Sequence, residues 1–334
     1  MLARLWSRTR EAFARWFRRG PAPGRFEAGS KFSLSGWITT APFAWPSRHY
    51  LVYVPRDRPL FGRAPLLVWC HGCKQTPEEF AHGTRVTEFA DRAGCVVLLP
   101  RQKGTANPWR CWNWFERRTQ RGDGEAAIVA AQIRRVRRRY RIDPARVLVA
   151  GISAGGALAA VLGVRYPRLV SAVAVHSGLA CGAAASALTA LSIMARGPEQ
   201  DVAAIGTQAR IGEAPHDVRV PLLAVHGAGD EIVAPNNAVA LVRQFLRLNG
   251  HPAAAGGDLT VPPAADVERT DALAEGRSMV VREWRRDGRL VARHVEVVGL
   301  GHAWSGGDAA LPFNDAAPPD ATALVGDFFA EAVS

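Results

Sequence analysis

Short unbroken apolar runs alternate along this chain with longer segments of helical spacing. Residues 65–70 (Pro-Leu-Leu-Val-Trp-Cys), 95–100 (Cys-Val-Val-Leu-Leu-Pro), 146–150 (Arg-Val-Leu-Val-Ala), 170–175 and 221–225 (Pro-Leu-Leu-Ala-Val) each read as a strand buried on both faces. Residues 126–140 and 156–161 read as helices; in the first, Ile128, Ala131 and Val136 supply the inner face, and Asp123 is placed to cap its start. Residues 32–40 and 48–55 read as a leading antiparallel pair. Residues 277–284 and 290–298 flank Asp287-Gly288, a strong hairpin signal. Between 248 and 275 the chain is rich in Gly, Pro and Ala with little periodicity, and is expected to be a surface insertion. Strands alternating with helices predict an α/β fold: a mostly parallel central sheet, helices on both faces and an antiparallel leading hairpin. At 334 residues and 48% hydrophobic content the chain can bury one large core.

Candidate chemistry sits where these strands end. Gly151-Ile152-Ser153-Ala154-Gly155 falls between a buried strand and a helix, the context in which Gly-x-Ser-x-Gly forms a nucleophile elbow. A serine hydroxyl needs a base and a group that orients the base, and in α/β-hydrolases these follow the serine in the order acid, then His. Asp230 lies in the polar loop His226-Gly227-Ala228-Gly229-Asp230 after one strand, and His302 lies in Gly299-Leu300-Gly301-His302 after another. Asp230 could be a turn carboxylate and His302 a surface residue, but all three partners occur in the required order, each just past a strand. The tetrahedral intermediate needs two backbone donors. The amide of Ala154 is one candidate, and the amide of Cys73, in the His71-Gly72-Cys73 loop after an earlier strand, is the other.

Four stretches, His71-Gly72-Cys73-Lys74-Gln75-Thr76, Arg110-Cys111-Trp112-Asn113-Trp114-Phe115, Gly151 to Gly156 and Gly301-His302-Ala303-Trp304-Ser305-Gly306-Gly307, resemble the polyhydroxybutyrate depolymerase family of esterases, relatives of a group of carbohydrate esterases. The resemblance runs from about residue 47 to about residue 329. It implies an α/β-hydrolase fold and a serine esterase, extracellular or periplasmic, acting on hydroxyalkanoate polymer or oligomer esters. Its nucleophile, acid and base fall on Ser153, Asp230 and His302. It also sets Cys73 and Cys111 in two motifs flanking the site, close in space and candidates for a disulfide. Feruloyl or acetyl-xylan esters are the alternative substrates, because fold and triad do not fix the acyl group. Trp112 and Trp304 are candidate walls of an acyl pocket, with core packing as the alternative. Asn113 would either bond a substrate carbonyl or hold its own loop.

Charge and the amino terminus alter this picture at the edges. Net charge is +12, yet no nucleic-acid motif accompanies it, and the arginines of 134–141 read as a solvated helix face or, more sharply, a patch for anionic polymer or membrane. No metal-ligand spacing or phosphate-cradling loop tied to a nucleotide occurs, so no cofactor is expected. Residues 1–20 place Leu2, Leu5, Trp6, Phe13, Trp16 and Phe17 at helical spacing with arginines between them. This is a basic amphipathic helix, able to dock on its own domain, to bind a membrane or polyester-granule surface through 1–19, or to stay disordered until processed. A surface-binding protein with secondary enzymatic activity is therefore a reading of another class. The segment lacks the continuous apolar core of a secretory signal, which leaves a cytoplasmic location as the alternative. Residues 21–29 are expected as a linker, and 30–334 as the catalytic domain.

Overall fold

The computed structural model describes residues 24–31, 48–56, 62–202, 219–254 and 258–334. The amphipathic segment at 1–20 and the strand expected over 32–40 lie outside them. Ten strands form one sheet in the order β1-β2-β4-β3-β5-β6-β7-β10-β9-β8. Its middle is parallel: β3 (Ala64–Cys70), β4 (Val96–Pro100), β5 (Ile142–Ile152), β6 (Ala172–His176), β7 (Leu222–Gly227) and β10 (Arg289–Val298). β3, β4, β6 and β7 are buried along their whole length, as the unbroken apolar runs require when helices cover both faces. On one face Val68, Val149, Val173 and Leu222 pack with α3 (Gly124–Arg139), α4 (Ala154–Arg165) and α6 (Asn236–Leu248). On the other, Leu67, Val97, Leu148 and Val225 pack with α1 (Pro77–Gly83), α2 (Val86–Ala93) and α7 (Ala321–Ala332). A further helix, α5 (Ala187–Arg196), follows β6. No described helix is long and apolar enough to cross a membrane.

Three expectations are corrected at the edges. The leading antiparallel pair is β1 (Arg25–Lys31) with β2 (Arg48–Val54), so the expected linker over 21–29 is in part sheet. The expected insertion contains β8 (Val267–Ala272), an edge strand that pairs with β9 (Ser278–Arg286). Nearly every side chain of β8 is exposed, so no apolar alternation marked it in the sequence. Asp123 occupies the N-cap position of α3, but its side chain makes no capping bond. The Asp287-Gly288 hairpin does form between β9 and β10, with φ of 53° and 74° at its two turn residues.

Candidate active site

The parallel strands deliver their ends to one edge of the sheet, where open α/β sheets place their ligands. β5 ends at Ile152, and Ser153 turns the chain into α4 with φ 55° and ψ −123°. That conformation costs a residue with a Cβ on the order of 1–3 kcal/mol. The strain is held by fixed surroundings: the Ser153 amide donates to the His176 carbonyl at 2.9 Å, and its carbonyl accepts from Ala157 at 2.9 Å. Two glycines make the turn possible. A Cβ on Gly151 would lie 2.5 Å from the carbonyl carbon of Gly155, and a Cβ on Gly155 would lie 2.2 and 2.4 Å from the carbonyl oxygens of Cys70 and His71. Because those obstacles are backbone, Gly155→Ala is expected to destabilise the fold by about 1–3 kcal/mol. Urea midpoints read this directly, and an unchanged midpoint would show that the elbow can spread.

Asp230 follows β7 and His302 follows β10. The structure brings these two together: His302 Nδ1 lies 2.8 Å from Asp230 Oδ2. The same oxygen lies 3.4 Å from His226 Nε2, while Oδ1 accepts from the amides of Ile232 at 3.0 Å and Val233 at 2.8 Å. Burial alone would raise the Asp230 carboxyl. The hydrogen bonds from His226, His302 and the Val233 amide overcome it and hold the group well below the usual carboxylate range. Facing an ionised Asp230, which can only accept, His302 Nδ1–H is the donor of that hydrogen bond. His176, at the end of β6 between the Ser153 and Asp230 strands, links the two halves. Its carbonyl holds Ser153, and its ring feels the charges of Asp230 and His302. Burial, first, and then the charge of His226 and His302 push that ring down to about 3, so it stays neutral beside the pair.

The loop after β3 lies against the elbow. Each neighbour of Cys73 has its amide engaged: Gly72 donates to Gln75 Oε1 at 2.8 Å and Lys74 to the Trp109 carbonyl at 2.7 Å. The amides of Cys73 and Ala154 donate to no acceptor among the described residues. Cys73 is bridged to Cys111, which ties this loop to the Trp-rich loop. Behind both runs a buried network. Glu125, in the first turn of α3, accepts from the Asn113 amide at 2.7 Å and from Gln102 Nε2 at 2.5 Å, and pairs with Arg48 at 3.2 Å. The backbone N–H of Gln102 in turn donates to His71 Nε2 at 3.2 Å. Among the described residues, no three His, Cys, Asp or Glu side chains are grouped to hold a metal ion.

The family described as esterase PHB depolymerase matches residues 48–267, well over half of the chain. The chain belongs to this esterase family. It is 32% identical over 200 residues to poly(3-hydroxyalkanoate) depolymerase C of Paucimonas lemoignei, a match covering 59% of this chain and 48% of that one. It is 31% identical over 206 residues to feruloyl esterase B of Neurospora crassa, covering 59% and 69% respectively. The match thus spans about half the length of the depolymerase. Among solved structures, an acetyl xylan esterase from Aspergillus awamori superposes with a TM-score of 0.66 at 20% identity, over 84% of this chain and 94% of that one, which establishes the α/β-hydrolase-type fold.

In this PHB depolymerase family member the expected acyl pocket is corrected. Trp112 is fully buried and donates its indole N–H to the His71 carbonyl at 3.1 Å. Trp304 is also buried, packed on Trp69, Phe80 and His176, and bonded to Thr322 at 3.1 Å. Asn113 spends its side chain on Asn107, the Ala106 carbonyl and Glu125. All three stabilise the scaffold, because each polar side chain is already engaged inside it. Trp109, by contrast, is 64% exposed, with the Lys74 ammonium 5.2 Å from its ring centroid. Sequence reasoning missed His226, His176 and Glu125. The two histidines ended apolar runs and looked like strand termini; Glu125 looked like an ordinary acidic residue in a helix's first turn.

Proposed function

We propose that this chain is a serine esterase that hydrolyses hydroxyalkanoate esters, polymer or oligomer, through an acyl-enzyme on Ser153. The observation that carries the reading is the Asp230–His302 pair, 2.8 Å apart, at the sheet edge that also presents the strained Ser153 elbow. In this mechanism His302 Nε2 takes the Ser153 proton as the hydroxyl attacks the ester carbonyl, and Asp230 stabilises the resulting imidazolium. The oxyanion is received by the Cys73 and Ala154 amides, with the amino-terminal dipole of α4 behind the second. His302 then protonates the leaving alcohol, and water, deprotonated by the same imidazole, releases the acid. The Cys73–Cys111 bridge supports an oxidising compartment, extracellular or periplasmic.

A carbohydrate ester is the second reading, favoured by the feruloyl esterase relative, whose length is matched more fully than the depolymerase's. The test compares release of hydroxybutyrate from polymer and from short oligomers with hydrolysis of feruloyl and acetyl-xylan esters. Hydroxybutyrate esters are expected to give the highest kcat/KM. A preference for feruloyl or acetyl-xylan esters would transfer the assignment to the second reading.

A further inference from the structure

The far side of the molecule carries a feature that ester hydrolysis does not use. Three arginines of α3, Arg134, Arg137 and Arg138, fall within about 100° of one helix face at 3.6 residues per turn. They meet Arg141 and Arg63 where β5 and β3 begin; the Ala64 amide donates to the Arg141 carbonyl at 3.3 Å. Together they line an open cleft of about 510 Å³, floored by Ile142 and Pro144. This is the amino-terminal end of the parallel strands, opposite the Ser153 edge.

The charge in this cleft is unbalanced among the described residues. Arg139, pointing elsewhere on the same helix, pairs with Glu27 at 3.0 Å. None of the five cleft arginines has a carboxylate within ion-pair distance among the described residues. Arg134 lies over the Tyr166 ring at 5.4 Å, a contact that attracts the guanidinium but supplies no countercharge. Asp143 lies near enough to favour the charged form of Arg137, yet burial first, and then the neighbouring charges of Arg134 and Arg63, still depress that guanidinium. Like charges three and four residues apart weaken a helix, so an anion seated between them relieves a repulsion built into the fold. Arginine forks match the oxygens of phosphoryl groups two at a time. The cleft has the volume of a small-molecule site, not the flat extent a duplex would need.

We propose that this cleft is a binding site for a ligand carrying linked phosphoryl groups, remote from the esterase site. The chemistry fits inorganic oligophosphate and the phosphate chain of a nucleotide alike.

The test is calorimetric titration of the full chain with inorganic tripolyphosphate, ATP, orthophosphate and a short duplex DNA at physiological salt. Saturable binding of tripolyphosphate is expected, with affinity falling as salt rises. The triple variant Arg134→Gln, Arg137→Gln, Arg141→Gln should weaken it by at least about tenfold, since charge-assisted bonds are lost, with turnover of a soluble ester unchanged. Equal affinity for ATP would show recognition of the phosphate chain alone, and tighter binding of ATP a nucleotide; both support the site. Unweakened binding in the triple variant, or no saturable binding, would overturn it. So would loss of binding on Arg15→Gln, Arg18→Gln, Arg19→Gln instead, orthophosphate binding as tightly as tripolyphosphate, or tighter binding of duplex DNA.

Discussion

Ser153→Ala is expected to lower kcat/KM on a soluble ester by about 10⁵-fold or more, because residues that act as one catalytic unit fail together when the nucleophile is removed. Stability should change little. Alanine keeps the Cβ and therefore the same φ of 55°, and the Ser153 side chain makes no described bond that holds the fold. The Asp230 carboxylate keeps its four contacts, from His302, His226 and the amides of Ile232 and Val233. Loss of turnover with an unchanged urea midpoint would locate the defect in chemistry. Retention of more than a few per cent of wild-type activity would remove Ser153 from the mechanism. A serine-directed covalent inhibitor tests the same assignment by another route: the wild type should be labelled once, on Ser153, and the variant not at all.

Acid lability is the second large effect expected. Three buried histidines are held neutral chiefly by burial: His71 at about 4, His176 at about 3 and His294 at about 3. In the unfolded chain each would titrate near 6.5. Below that pH the unfolded state binds more protons than the native state, so stability falls as pH falls, by about 1 kcal/mol per pH unit for each group. Between about pH 6 and 4 the sum reaches several kcal/mol, comparable with the whole stability of a domain. Asp230 does not share this window, because a depressed carboxyl contributes stability above its unfolded value and loses it only at lower pH. Glu125 works the other way, since burial raises its carboxyl and native protonation offsets part of the loss. Both ring nitrogens of His294 are buried without a partner among the described residues, so His294→Leu should both stabilise the protein at pH 7 and flatten the acid slope by about 1 kcal/mol per pH unit. Urea midpoints taken from neutral pH down through this window decide it; the same slope in both proteins would mean that His294 does not titrate on unfolding.

The acid slope and the Asp230–His302 pair differ in how far the sequence foretold them. Local pattern was sufficient for the parallel strands, since a strand buried on both faces must be an unbroken apolar run, and β3, β4 and β7 are such runs. It was sufficient for the elbow as well, because a turn that brings Gly155 against the carbonyls of Cys70 and His71 excludes any Cβ there and so writes itself into five consecutive residues. Asp230 and His302 were found because strand ends are visible and the order of the acid and the base is constrained.

What the tertiary structure alone decided lies between segments remote in sequence. That His226 shares Asp230 with His302, that Glu125 binds the Asn113 loop, and that Trp112 and Trp304 pack inward instead of walling a pocket all depend on which neighbours lie within a few ångströms. The exposed edge strand β8 was invisible for a related reason: with little to bury, nothing constrained its sequence. Periodicity and turn geometry are properties of adjacent residues, and the chain carries them before it folds. Burial and polar satisfaction are properties of the assembled interior, and there a tryptophan or a glutamate acquires its role only from what surrounds it.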